Sequence, residues 1–519
     1  MRTVTSKSKV RSAAVDTGNG ASRATRVAGP VRAAERLDRL PDSRWLRTVM
    51  VVLFLAWLAE SYDIGLIGSV LPSLSHLYHL STGSKSLVAT ASTIGIVIGI
   101  APAGWLADRY GRKRVLVGGT AGYAVLTFVT AFAGTVDELV ALRLAAGIAM
   151  GAVFPLPYAY GAELCPPSIR GRFTGMADSF LSVGYFLSPL LAMLLIPSVA
   201  NTFGWRVMFG LGGIPLLFAV VAWKMLPESP RWLESKGKLG EAEKVLSSIE
   251  ARVRDQIGRP LPEPELDASS VLGASSAVGA SSAVGFGPSG TDPERRFTTP
   301  LREVFSRRFL RRSAVLWVTF GGTFFIFYSI QTFMPTVVTS MGFTLTSAFA
   351  FTAVIVGVSI PGKLLEAWLV ERLGRKAVIV GFGLIAAVAA LVFGLVRGGV
   401  AVLAVGGVMS FFGIGLDPAV KVYTAESYPT QIRGVATGAT EGFGRLLSGI
   451  VGPAFIPPLL AVGGVAAAYS VVGVVALVAV ATVTFLGEET SGRRLEDISD
   501  FKVLPRPSLL PDASRPLAA

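Results

Sequence analysis

Gly104-Trp105-Leu106-Ala107-Asp108-Arg109-Tyr110-Gly111-Arg112-Lys113 returns later in the chain as Ala367-Trp368-Leu369-Val370-Glu371-Arg372-Leu373-Gly374-Arg375-Lys376. Asp108 and Glu371 are 371 − 108 = 263 positions apart. The same offset carries Glu163 onto Glu426, Arg170-Gly171 onto Arg433-Gly434, Asp178 onto Glu441 and Pro72 onto Pro335. One offset held over several landmarks marks the tandem duplication of a long unit. Each landmark is polar or turn-forming and stands between long apolar runs. That is the layout of a membrane protein built from two equivalent halves.

Composition agrees. Apolar residues make up 51% of the chain and charged residues 16%, against about 25% charged in soluble domains. Apolar runs of roughly 20 residues recur, the length that crosses a hydrocarbon core of about 30 Å. The net charge of +14 does not mark a nucleic-acid binder, because Lys and Arg collect in alternate gaps between the apolar runs. A lone cysteine, Cys165, excludes an internal disulfide framework and a CxxC metal site. His76 and His79 share a loop without an acidic or cysteine partner, so they read as loop residues and no metal is expected.

Residues 1–44 are polar and rich in Arg, Gly, Ser and Ala, without the apolar stretch of a signal peptide. They read as a disordered cytoplasmic tail. The Arg and Ser content also suits a transit peptide, against which Asp16, Glu35 and Asp38 weigh. Six apolar spans fill the unit 45–226, at 46–70, 87–107, 115–133, 139–160, 173–196 and 207–226. Pro72 is expected to close the first. Gly95 with Gly99, and Gly147 with Gly151, are spaced for close helix approach in spans two and four. Residues 227–311 hold no spanning run. They read as a cytoplasmic linker with short helices and a flexible Gly-Ala-Ser-Ser-Ala-Val repeat at 273–285. Six further spans fill 312–486, and 487–519 reads as a cytoplasmic tail. The fold class is therefore all-α, with twelve transmembrane helices in two pseudo-symmetric halves. The basic loops lie on the side of both termini, and opposite loops carry only Lys85, Arg206 and Arg397, which places both ends in the cytoplasm.

The paired Gly-x-x-x-Asp-Arg-x-Gly-Arg-Lys loops resemble the signature of the major facilitator superfamily, over about residues 45–490. Ala367 replaces the first Gly in the second copy. Arg143 in span four, Glu163 with Arg170-Gly171, Pro227-Glu228-Ser229-Pro230-Arg231-Trp232-Leu233 and Glu489-Thr490-Ser491-Gly492 are similar to the sugar porter family. Ser491 stands where that family has Lys. The substrate region departs further. Asp178 stands where sugar porters have Gln, and span seven carries Gln331 among aromatics in place of a Gln-rich pattern. Glu60-Ser61-Tyr62-Asp63 resembles the Asp-Gly-aromatic-Asp pattern of the aromatic acid:proton symporters.

An ionisable side chain inside a bilayer costs at least a few kcal/mol, so each one is a functional candidate. Asp63 lies about 16 residues into span one, roughly 24 Å at 1.5 Å per residue. Arg143 lies about five residues, roughly 8 Å, from the opposite surface on span four, so the two depths coincide in a core of about 30 Å. Protonation of Asp63 would release Arg143, a proton-coupling switch that the resemblance to sugar porters also implies. Glu60, one turn below, is a second carboxyl for the same relay. Glu441 and Arg445 share one face of span eleven near mid-depth, where a guanidinium suits a carboxylate. Asp178, Gln331 and Tyr62 complete the expected substrate site. Asp417 and Lys421 read as gate structure near the cytoplasmic end of span ten. Gly104, Asp108, Arg109, Gly111, Arg112, Glu163 and Arg170, with Glu371, Arg375, Glu426 and Arg433, resemble the superfamily's cytoplasmic gate, whose salt bridges hold the two halves together.

The sequence thus reads as a proton-coupled symporter of a small organic solute, a carboxylate-bearing metabolite such as an aromatic acid, working by alternating access. Its expected partners are that solute, protons and the lipid bilayer, with no nucleic acid and no cofactor. A functional monomer in the plasma membrane is expected. A sugar or polyol symporter is the alternative within the same fold. Drug exporters normally carry a different span-five motif. A transceptor is the alternative from another class, although a sensor has no need of a coupled proton. No nucleophile–base set, metal cluster or nucleotide loop points to an enzyme.

Overall fold

The computed structural model describes residues 33–198, 203–263, 302–428 and 432–490, and the secondary structure among them is helical. Span one is Arg44–Leu77, span two Thr82–Tyr110, span three Arg112–Thr130, span four Val136–Leu164, span five Pro167–Ser198 and span six Gly204–Met225. The second half repeats the order with Arg307–Ser340, Leu345–Leu373, Arg375–Phe393 and Gly399–Glu426 as spans seven to ten. Spans eleven and twelve fill Arg433–Leu486 and are divided at Gly464, whose φ of 66° no helix tolerates. The described residues therefore form a twelve-span, all-helical membrane protein.

Small residues set the closest crossings. A Cβ on Gly95 or Gly99 would strike the carbonyls of Leu144 or Ile148, and one on Gly147 or Gly151 those of Ser92 or Ile96. Spans two and four consequently touch backbone to backbone, as the glycine spacing predicts. Span one does not stop at Pro72. The helix runs through it to Leu77, and span seven runs through Pro335 to Ser340. Proline removes one backbone hydrogen bond, a loss that tight packing of neighbouring spans accommodates within a membrane. The packing here is tight: a Cβ on Gly68 would meet the backbone of Gln331 and Thr332. Spans one and seven thus seal the end of the bundle away from the linker.

The linker side carries the duplicated turns. Gly111 (φ 100°) and Gly374 (φ 88°) adopt a backbone that other residues avoid. Each turn leads into a helix whose first amides need acceptors. Glu228 accepts from Lys113 N–H (3.1 Å) and Ser229 N–H (3.0 Å). Glu489 does the same for Arg375, Lys376 and Thr490, each at 3.1 Å. One carboxylate at each helix start satisfies several donors at once. Residues 487–490, expected to begin a tail, are thereby tied to the second half.

Part of the expected N-terminal tail is also structured. The helix Ala33–Asp38 lies on the linker helix Leu239–Ile257, with Leu37 and Leu40 buried alongside Leu246, Ile249 and Val253. Arg36 reaches Glu243 (2.5 Å) and Glu250 (2.8 Å), and Arg39 reaches Glu250 (2.6 Å). Burial pushes the Glu250 carboxyl up, but hydrogen bonds from Arg36 and Arg39 outweigh it and hold the group below its ordinary range. The amphipathic face of the linker helix supplies the apolar cover that composition alone did not suggest. Residues 1–32, the repeat at 273–285 and residues 491–519 lie outside the described residues.

Candidate functional site

Three irregularities in the helices converge between the two halves. Span four breaks at Phe154-Pro155, and span ten breaks ahead of Asp417-Pro418. These are the same place in the duplicated unit, since 418 − 155 = 263. Span eleven carries a π-helical turn, Leu447–Val451, directly after Arg445. Broken helices and π-turns free side chains to face a cavity instead of packing into a groove. Here they border a narrow cavity lined by Phe154, Leu181, Tyr185, Thr323, Phe324, Phe327, Gly413, Ile414, Asp417, Lys421 and Arg445.

Arg445 is 3% exposed. It donates to Glu441 (3.0 Å) and to the Tyr328 hydroxyl (3.3 Å), and its guanidinium stacks over Phe154 at 4.0 Å. Its Nε has no hydrogen-bond partner. Phe324, Phe327 and Tyr185 supply the rest of the aromatic wall, with Tyr185 and Phe327 edge-on at 4.9 Å. The site thus joins one planar cation to flat apolar faces, which suits a flat solute with an anionic end. At the wall beside it, Lys421 bonds Asp417 (2.9 Å) and Asp178 (3.2 Å), and the Tyr158 hydroxyl donates to Asp178 (2.8 Å). Lys363 stands 3.7 Å from Asp417.

Asp63 and Arg143 do meet, as their depths predict. The two guanidinium nitrogens reach the carboxylate at 2.6 and 3.1 Å, and Thr127 donates to it at 2.7 Å. Arg143 Nε is satisfied by Ser92 at 2.9 Å, and the guanidinium lies over Phe209 at 5.6 Å. Arg143 is 0% exposed and Asp63 1%, and neither lines the cavity. The pair is therefore a dry, fully bonded unit inside the first half. Glu60 is also 0% exposed, with no donor at either carboxylate oxygen.

Two expected substrate residues lie elsewhere. Tyr62 spends its hydroxyl on the Met208 carbonyl (3.0 Å), pinning span one to span six. Gln331 donates to the Tyr185 carbonyl (3.4 Å) and presses against Gly65, above the cavity rather than in it. Position along a helix sets depth, but the facing direction of these two depends on how spans one, five, six and seven are rotated.

The gate residues form a network within each half. Arg112 binds Asp108 (2.7 Å) and Glu163 (3.0 Å), and Arg375 binds Glu426 (2.9 Å), which also accepts from Thr490 (2.6 Å). Trp232 Nε1–H donates to the Asp108 carbonyl at 2.8 Å. Arg109 is exposed and stacks on Trp105 and Tyr110, Glu371 is exposed, and Gly104 is buried in span two. Arg433 begins span eleven and donates to the Tyr428 carbonyl (3.3 Å). The Arg170 side chain lies outside the described residues. Among the described residues, these bonds of Arg112 and Arg375 join each loop to its own half, and the cross-half clamp expected through Arg170 lies outside them.

The Major Facilitator Superfamily model matches residues 50–453 and 359–514. The chain belongs to that superfamily. It is similar to the niacin transporter NiaP of Acinetobacter baylyi, 30% identical over 89% of this chain and 98% of the relative. It is also similar to the 4-hydroxybenzoate transporter PcaK of the same organism, 26% identical over 79% of this chain and 84% of the relative. In fold it matches the crystal structure of a D-xylose–proton symporter, with a TM-score of 0.66 at 21% identity over 86% of this chain and 99% of that one. This superfamily member is a multi-pass membrane transporter and not an enzyme.

Sequence reasoning placed Asp178 and Arg445 in the pocket region. It missed Phe154, Tyr158 and Lys363, and gave Lys421 to gate structure. The offset held the signal: Phe154 matches Asp417 and Tyr158 matches Lys421, both 263 apart. Equivalent positions near a pseudo-twofold axis face each other, so an aromatic pair in one half points to a charged pair opposite.

Proposed function

We propose that this transporter is a proton-coupled symporter of a small carboxylate-bearing metabolite with a single aromatic ring. The observation that carries this reading is Arg445, buried at mid-depth and stacked on Phe154 in an aromatic cavity. Its counterpart in the first half is Ser182, so the duplication does not call for a cation there. A guanidinium offers a carboxylate two parallel charge-assisted hydrogen bonds. The relatives that carry niacin and 4-hydroxybenzoate support the same class. Gln331, the side chain nearest to the sugar-porter pattern, lies outside the cavity, which counts against a sugar or polyol.

Proton coupling belongs to Asp63 and Arg143, with Glu60 one turn away. A proton on Asp63 cancels the pair and leaves Arg143 with Ser92 and Thr127, so span four is free to move against span one. The loop networks around Asp108, Arg112 and Glu163, and around Arg375 and Glu426, stiffen each half as it rocks. In this reading the chain acts as a monomer in the plasma membrane, and the arginine distribution supports a cytoplasmic side for both termini and the linker. The test is uptake of labelled nicotinate, 4-hydroxybenzoate and D-xylose into proteoliposomes with and without an inward proton gradient. Gradient-driven accumulation of an acid is expected. Accumulation of xylose with neither acid competing would refute the reading.

A further inference from the structure

The charged wall of the cavity has a property that the Arg445 site lacks. The Arg445–Glu441 pair and the Lys421–Asp417 pair each stay within the second half. Lys421 also reaches Asp178, on span five of the first half, at 3.2 Å. That ion pair bridges the halves beside the substrate cavity, which Lys421 itself lines.

We propose that Lys421 is a shared anion anchor: the carboxylate of the substrate takes the place of Asp178 on Lys421, and Asp178 takes up a proton as it lets go. The inference rests on the anionic-solute reading above. The ammonium has three donors and already serves two carboxylates. Facing Asp178 are Tyr158 from span four, Lys363 and Glu366 from span eight, Asp417 and Lys421 from span ten, and Glu441 beyond Lys421 on span eleven. Three cations, Lys363, Lys421 and Arg445, stand against four carboxyl groups, Asp178, Glu366, Asp417 and Glu441, so an arriving anion adds uncompensated negative charge. A proton on Asp178 removes that excess. Tyr158 keeps Asp178 bonded in both states, since its hydroxyl donates to the carboxylate and accepts from the acid. Substrate binding and release of the cross-half bond thereby become one event. Emptying the cavity returns Lys421 to Asp178 and the proton to solvent.

This makes opposite predictions for the two partners of one ion pair. In the full chain reconstituted in nanodiscs, nicotinate and its neutral amide, nicotinamide, are titrated by calorimetry between pH 5.5 and 8. Lys421→Gln should weaken nicotinate by about tenfold or more, the usual scale for truncating one partner of a buried charge pair, and change nicotinamide much less. Asp178→Asn should tighten nicotinate several-fold and flatten its pH dependence, because the competitor no longer titrates. General misfolding cannot produce changes of opposite sign. If Lys421→Gln binds nicotinate like the wild type, or if both variants weaken it alike, the pair is structural and the proposal is overturned while the anionic-solute reading stands. If the wild type binds nicotinamide as tightly as nicotinate, the anionic-solute reading itself fails and this proposal with it.

Discussion

Two ion pairs within this bundle differ in everything around them. Asp63–Arg143 lies inside one half, and each of its donors is matched by Asp63, Thr127 or Ser92. Asp178–Lys421 crosses between halves, borders the cavity, and has a lysine side chain 27% exposed. A sealed pair resists change until a proton arrives, because breaking it strands a charge in a dry site. A pair at a cavity wall can trade partners with a solute. Neither arrangement recurs in its own duplicate: Ile326 and Gly406 stand at the positions of Asp63 and Arg143, and Glu441 and Tyr158 at those of Asp178 and Lys421. Duplication supplied the frame, and divergence between its copies supplied the chemistry.

Breaking the sealed pair should have the largest effect. Arg143→Leu leaves the Asp63 carboxylate buried with Thr127 alone, and we expect a loss of about 3–5 kcal/mol in stability, read as a lowered thermal unfolding midpoint. Lys421→Gln should move that midpoint far less, since Asp178 keeps Tyr158. Equal losses would show that the two sites differ less than their surroundings suggest.

The turns test the same contrast between copies. At Gly111 a Cβ would overlap Glu228, whereas at Gly374 it would stand 3.0 Å from Glu489. Both need a positive φ, a strain of about 1–3 kcal/mol for other residues. Gly111→Ala should therefore destabilise more than Gly374→Ala in thermal unfolding. Next in size comes Arg445→Lys, which keeps the charge and loses the fork. Carboxylate affinity should fall about tenfold, or 1.4 kcal/mol, without a matching drop for a neutral analogue. The smallest effect concerns the clasp of helix Ala33–Asp38. Its Glu250 is held below the ordinary carboxylate range, so the clasp is intact above that range of roughly 4 and is lost as pH falls through the lowered value. Hydrogen-exchange protection of residues 33–38, taken relative to the intrinsic rate at each pH, should fall on acidification, and Arg36→Gln should lower it already at neutral pH.

Much of the fold was legible because the offset of 263 repeats over polar landmarks, and polar landmarks in an apolar chain can only be loops or functional groups. The pairing of Asp63 with Arg143 was legible because depth along a straight helix follows from residue count. Tyr62 and Gln331 were misplaced because depth says nothing of rotation about the helix axis. The continuation of span one past Pro72 was hidden for a related reason: what tolerates a proline is its neighbour, here the backbone of span seven against Gly68. The ordered segment at 33–43 escaped notice because its partner lies more than 200 residues away, at Glu250.

Transport by Asp63→Asn measures the central claim, that the sealed pair couples the proton while the cavity binds the solute. In proteoliposomes loaded with unlabelled nicotinate, counterflow exchange of labelled nicotinate needs the cavity and the conformational cycle but no net proton movement. The account predicts that Asp63→Asn cuts gradient-driven accumulation sharply, to what the proton on Asp178 alone can drive, and retains counterflow. Equal loss of both activities would contradict it and make Asp63–Arg143 a structural pair.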